Sequence, residues 1–212
     1  TTQIAGWDLQ SMRVFMGVLF LVDALWMLLF WENLDTISEK VRKGELDLLL
    51  MKPVDSLFML SFRRINAAYV INIFIVLFWL VWSLQQVPGG FSFYRLWTLI
   101  VLVPCALAIT YGMRFLFAAQ AVRFVQAENL NYVWYQLYRL GTRPDSLYPS
   151  AVRYVVLFLV PVGFIASVPA RMVLFDESLW FVLCAVIFAV MSIYLSRRYW
   201  RYVLRFYSSA SS

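Results

Sequence analysis

Acidic residues are scarce in this sequence, and three of them sit where they could do chemistry. Asp23 interrupts the apolar run LFLVDALWMLLF, and Glu45 and Asp47 lie in the stretch VRKGELDLLLMKPVDSLF. A carboxylate inside an apolar span costs a few kcal/mol on insertion scales unless it faces protein or water, so Asp23 either lines a path or locks two helices together. For the lock, Asn66 and Asn72 on the next apolar run are the candidate partners. Acid–base chemistry at a membrane face needs grouped carboxylates, histidines or metal ligands. Here Asp23 is isolated, histidine is absent, and Cys105 and Cys184 both sit inside apolar runs. Zinc sites, disulfide frameworks and imidazole or thiol catalysis therefore lack their usual residues. The G-x-x-x-x-G-K-[ST] phosphate loop is absent too, so ATP hydrolysis is expected in another chain.

The elements that must position these carboxylates are membrane helices. The 212 residues are 63% hydrophobic and 14% charged, with a mean hydropathy of +0.74. A hydrocarbon core asks for about 20 apolar residues per helix, and five runs qualify: 12 to 31, 64 to 84, 96 to 118, 152 to 172 and 178 to 196. The runs do not alternate apolar and polar as barrel strands do. The expected fold is all-α, one polytopic helical domain over 1–212. The connection after the first run carries Lys40, Arg42, Lys43, Lys52, Arg63 and Arg64, whereas QQVPGGFSFYR has only Arg95. The positive-inside rule places residues 32–63 and the basic C-terminal tail in the cytoplasm. Five spans then put Thr1 outside, and the opening TTQIAG is not a signal peptide, so a sixth span is expected upstream. Arg114, Gln120, Arg123 and Gln126 make one side of the third span's end polar, which predicts an amphipathic extension at the headgroups, and NLNYVWYQLYRLGTRPDSLYP reads as an interfacial helix followed by a turn.

Within the charged stretch, Gly44 breaks a turn, Glu45 and Asp47 sit where carboxylates favour a helix start, and Pro53 limits continuation. Leu46, Leu49 and Leu50 share one face at i, i+3 and i+4. Residues 44 to 50 are thus expected to form a short helix with an apolar stripe. Physics alone allows two uses: a helix resting in lipid headgroups or one that docks a protein.

The same stretch resembles the I-x-x-G-x-L-D-x-x-L-x-x-P-V segment of bacterial ABC transporter permeases of the type 2 exporter superfamily, in the branch with short six-span subunits. Further similarities are IAGWDLQSMRVFMG, LYPSAVRY, PVGFIASVPARMVL and the YSSASS ending. The resemblance implies five spans of an expected six, residence in the bacterial inner membrane, pairing with a second permease, and a cytoplasmic coupling helix that docks a separate ABC ATPase subunit. On that reading Leu46, Leu49 and Leu50 fill an apolar cleft of the ATPase, and Lys43, Gly44, Glu45 and Asp47 complete the docking site. The chain itself holds no cofactor, ATP and Mg²⁺ belonging to the ATPase. The implied activity is export of an amphipathic or lipid-like compound by alternating access. A scaffold without transport and an intramembrane lipid-modifying enzyme are the alternatives.

Two other features have two readings each. Pro161 and Pro169 interrupt the fourth apolar run; the resemblance implies re-entrant outer helices there, while composition allows a proline-kinked span with Arg171 snorkelling to the headgroups. The tail RRYWRYVLRFY could mimic a nucleic-acid patch, but basic and aromatic residues beside an apolar span fit an interfacial anchor better. No nucleic-acid partner is expected; membrane lipid is.

Overall fold

The computed structural model describes residues 6–90, 92–124, 128–175 and 177–207. The opening residues 1–5, the ending 208–212, Phe91 and Gln126, which entered the sequence reading, lie outside these. Every element among the described residues is helical, and three helices are long and apolar enough to cross a membrane.

Helix α1, Leu9–Trp26, starts on the Asp8 side chain, which accepts from the Ser11 N–H at 2.9 Å. It passes through a wide turn at Met27–Trp31 into α2, Glu32–Asp35, and then α3, Ile37–Arg42. Two short helices follow, α4 at Glu45–Leu50 and α5 at Ser56–Phe62. The chain returns along α1 as α6, Tyr69–Gln85, with Leu80 lying on Gly17. After the turn around Gly89 and Gly90, α7 runs over Phe93–Ala119. The remaining helices are α8, Glu128–Gly141; α9, Ser150–Tyr154; α10, Ser167–Leu174; and α11, Trp180–Val203.

Helices α7 and α11 run parallel and form the tightest pair. A Cβ on Gly112 would stand 2.5 Å from that of Ser192, so only glycine admits this approach. The Ser196 hydroxyl bridges the pair by donating to the Gly112 carbonyl at 3.2 Å. By contrast α6 is buried only at Leu80, Ser83 and Leu84, and the exposed Ile71, Phe74 and Phe78 give it the surface of a helix facing lipid or another apolar partner.

The fourth crossing departs from the sequence reading. The run 152 to 172 is not a continuous helix: after α9 a wide turn spans Val155–Leu159, Val160 takes an extended conformation, and Pro161 lacks the N–H to continue. The segment folds as a hairpin. It starts beside Asp145, where Arg153 pairs at 2.7 Å, dips until Phe164 packs on Phe188, and returns so that Arg171 lies over Phe181, two turns back along α11. Of the two readings of Pro161 and Pro169, this is the re-entrant geometry.

Helix α8 packs against the bundle along the course of α1 and α2. Tyr135 reaches Asp35 of α2, Tyr138 reaches Asp23 in the last turn of α1, and just beyond α8, Ser146 accepts from the Trp7 indole, ahead of the start of α1, at 2.8 Å. At about 1.5 Å per residue this polar helix is short for a bilayer, and hydropathy alone misses it. Two of its hydroxyls, those of Tyr135 and Tyr138, are matched by carboxylates.

Candidate functional site

Residues 32–64 form a compact cap on one end of the bundle, the loop end, and its root is stitched by asparagines. Asn33, buried at 1% exposure, donates to the carbonyls of Leu29 (2.9 Å) and Arg64 (2.7 Å) and accepts from the Arg64 N–H (3.0 Å). Asn66 donates to Glu32 at 2.8 Å, and its own backbone N–H reaches the Leu28 carbonyl at 3.0 Å. The two ends of the loop are thereby held together through the side-chain amides of Asn33 and Asn66. Between them the chain turns at Gly44, whose φ of +71° favours glycine, and restarts at Asp55, whose carboxylate accepts from the Phe58 N–H at 2.9 Å.

Helix α4 forms within the expected residues, but Leu46 and Leu49 of its stripe face inward while Leu50 is exposed. Leu46 and Leu49 are 0% and 3% exposed, packed with Phe30, Ile37 and Phe115, and with Trp200 and Val203 of α11. In this fold both leucines pack against the chain's own core, which departs from the outward-facing anchors expected from the sequence. A stripe at i and i+3 says that one face is covered without saying what covers it. The outward face carries Leu48, Leu50, Met51 and Val54, with Met51 81% exposed. Glu45 is exposed, and Asp47 is half-buried beside the Tyr207 phenol, whose pKa rises through burial first and this carboxylate second. Lys43 pairs with Glu39 one turn back at 2.5 Å, which raises its pKa; both are solvent-exposed, and such pairs contribute little to stability.

The cap rests on the long helices. Trp200 donates to Ser56 at 2.9 Å, and the Ser61 and Tyr111 hydroxyls share a 2.7 Å bond. Just inside lies an ion pair that sequence reasoning did not assemble. Arg114, expected at the headgroups, is 1% exposed; its Nε and Nη2 donate to Asp35 at 3.2 and 2.5 Å. Tyr135 donates to the other oxygen of Asp35 at 2.7 Å, so one carboxylate joins α2, α7 and α8. The signal available in the sequence was one lone arginine in an apolar span, without its partner 79 residues away.

Asp23 hydrogen-bonds the Tyr138 hydroxyl. Its partner is on α8, while Asn66 is taken by Glu32. Asn72 stands across from it, lining with Asp23, Phe20, Tyr69 and Ile75 a groove of about 250 Å³ between α1 and α6. Asp23 thus holds two helices together while bordering open space.

At the far end, Asp145 is fully buried. It accepts from Ser167, from Arg153 at 2.7 Å and from Arg171 at 2.6 Å, and Arg171 also pairs with Glu177. Arg171 is thus a structural member of the hairpin and not a snorkelling residue. Among the described residues no group of three or more His, Cys, Asp or Glu could hold a metal ion.

No curated protein and no solved structure matches the chain. A family model described as ABC-2 family transporter protein matches residues 1–211. With an all-helical bundle whose helices have the length and apolarity of membrane spans, the chain belongs to the ABC-2 transporter family.

Proposed function

We propose that this ABC-2 family chain is the permease subunit of an ATP-driven exporter of the bacterial inner membrane, and that the cap over residues 32–63 docks a cytoplasmic ABC ATPase. The observation that carries the reading is the two-sidedness of α4. Its inner leucines share a cluster with Phe115 of α7 and with Trp200 and Val203 of α11, while Leu48 and Met51 point away from the bundle. A load on the outer face is transmitted by close-packed side chains to two long helices, because such an interior deforms little. Glu45, at the start of α4, and Asp47 supply charge to set register with the partner, and Gly44 fixes the turn that presents them. Leu50, at the edge of the outward face, completes the contact. ATP and Mg²⁺ would be held by the ATPase, and this chain would contribute no catalytic group.

The cargo expected from the aromatic, charge-poor surface is amphipathic or lipid-like, moved between paired permeases by alternating access, with the C-terminus on the cytoplasmic side. The test is the double substitution Leu48→Asp, Met51→Asp. Burial of these side chains in a partner would contribute about 1.5–3 kcal/mol each. Co-purification of the cognate ATPase should therefore be lost, while the thermal stability of the permease is retained because neither side chain supports its core. Undiminished ATPase association would remove the docking role from α4.

A further inference from the structure

The last turns of α11 carry Arg198 and Arg201, and the tight turn Leu204–Phe206 that continues it carries Arg205, at i, i+3 and i+7, all exposed, beside Tyr202. With Leu195 and with Leu116 of α7 they line a groove of about 540 Å³ at the loop end of the bundle. None of the three arginines makes an ion pair among the described residues, unlike Arg114, Arg153 and Arg171. Cationic side chains left unneutralised next to an apolar span create a positive field against the headgroup layer. The groove also has an apolar approach. Ile187, Met191 and Leu195 lie at successive i+4 positions on the exposed side of α11, so a hydrocarbon-compatible track runs down the helix and ends at the arginines.

We infer that this groove is a binding site for an anionic phospholipid of the leaflet at the loop end, with the phosphate held by Arg198, Arg201 and Arg205 and an acyl chain laid along Leu195, Met191 and Ile187. Guanidinium groups recognise phosphate oxygens by paired N–H donors. Tyr202, 44% exposed, adds a ring and a hydroxyl at the depth where tyrosines concentrate in membrane proteins. A soluble phosphate, an acidic peptide or a nucleic acid would use the cations and leave the apolar track without a role; a phospholipid uses both. The site is separate from the docking face of α4, and its occupancy does not depend on whether an ATPase binds there.

The experiment titrates the purified full chain in neutral detergent with phosphatidylglycerol or with phosphatidylcholine and counts retained lipid by native mass spectrometry. Phosphatidylglycerol should be retained preferentially. The triple substitution Arg198→Gln, Arg201→Gln, Arg205→Gln should weaken its binding by about a hundredfold, each cation near an anionic surface contributing about a fivefold factor. Lys52→Gln, Arg63→Gln, Arg64→Gln, which removes the same charge from the same end, should leave binding unchanged. Because the arginines are exposed, the triple variant should elute as wild type does; Arg201→Glu alone, which reverses one charge, should also weaken retention. Equal loss in both triple variants would reduce the effect to net charge, and undiminished binding in the groove variant would overturn the site. Displacement of the lipid by low millimolar inorganic phosphate would overturn the lipid assignment in favour of a soluble phosphate ligand.

Discussion

The two ends of the molecule are closed by different physics. At the loop end, a cap is held down by buried leucines and aromatic rings and stitched at its root by the neutral amides of Asn33 and Asn66. At the far end, the hairpin containing α9 and α10 is gathered around one buried carboxylate, Asp145, shared by Ser167, Arg153 and Arg171. The first construction is graded: each contact can be weakened separately, and an outward apolar face is left exposed. The second is closer to all-or-none, because removing the central charge takes the buried partner from Arg171, which the fold largely keeps from water, and from the partly exposed Arg153. The outward face of α4 is thus mounted mainly on packing, with the Arg114–Asp35 pair as one charged tie beneath the cap, whereas the opposite end is gathered on charge.

The sharpest way to break the comparison is Asp145→Asn. Arg171 would keep Glu177 but lose its buried partner, and Arg153 would lose its only ion pair among the described residues. Disrupting a buried pair from one side costs about 3–5 kcal/mol, and the expected result is a large fall in the thermal midpoint in detergent. A small shift would show that the far end is also held mainly by packing. Next in size is Leu46→Ala, expected to destabilise the permease itself by about 2–5 kcal/mol, where Leu48→Ala on the outward face should lie within about 0.5 kcal/mol of wild type. Equal stability effects at the two positions would erase the two-sidedness of α4. The smallest is Asn33→Ala, which leaves the Arg64 N–H and two carbonyls without their amide partner. A loss of about 1–3 kcal/mol is expected for such buried groups, read as faster hydrogen exchange at residues 64–66 than elsewhere in the cap. Protection equal to wild type would show that the stitch is redundant.

Much of this architecture is legible from local pattern. The apolar runs place α1, α6, α7 and α11, and the sequence GELDLLL places α4, because length, breakers and helix-start charges act over a few residues. What stays hidden depends on distant partners. Helix α8 reads as an interfacial segment until Asp23 and Asp35 are seen to satisfy Tyr138 and Tyr135. Asp145 reads as part of a turn, since RPDSLYP contains nothing that announces an arginine 26 residues later. The stripe of Leu46 and Leu49 was legible as buried, but whether the burying surface belonged to the chain or to a partner is a tertiary fact. The family resemblance carried by the same stretch is upheld over residues 1–211.

The matched hydroxyls of α8 also bear on how the chain enters a membrane. Insertion machinery that samples one segment at a time rewards apolar residues near the centre of a helix and penalises polar ones. The segment ENLNYVWYQLYRLG has little to offer such a test by itself. Its favourable environment exists only after α1 has arrived, bringing Asp23 and Asp35 to meet it. The expected order is therefore α1 first and α8 second, and a chain whose translation paused between them would leave Asp23, inside its apolar helix, without the Tyr138 hydroxyl that answers it.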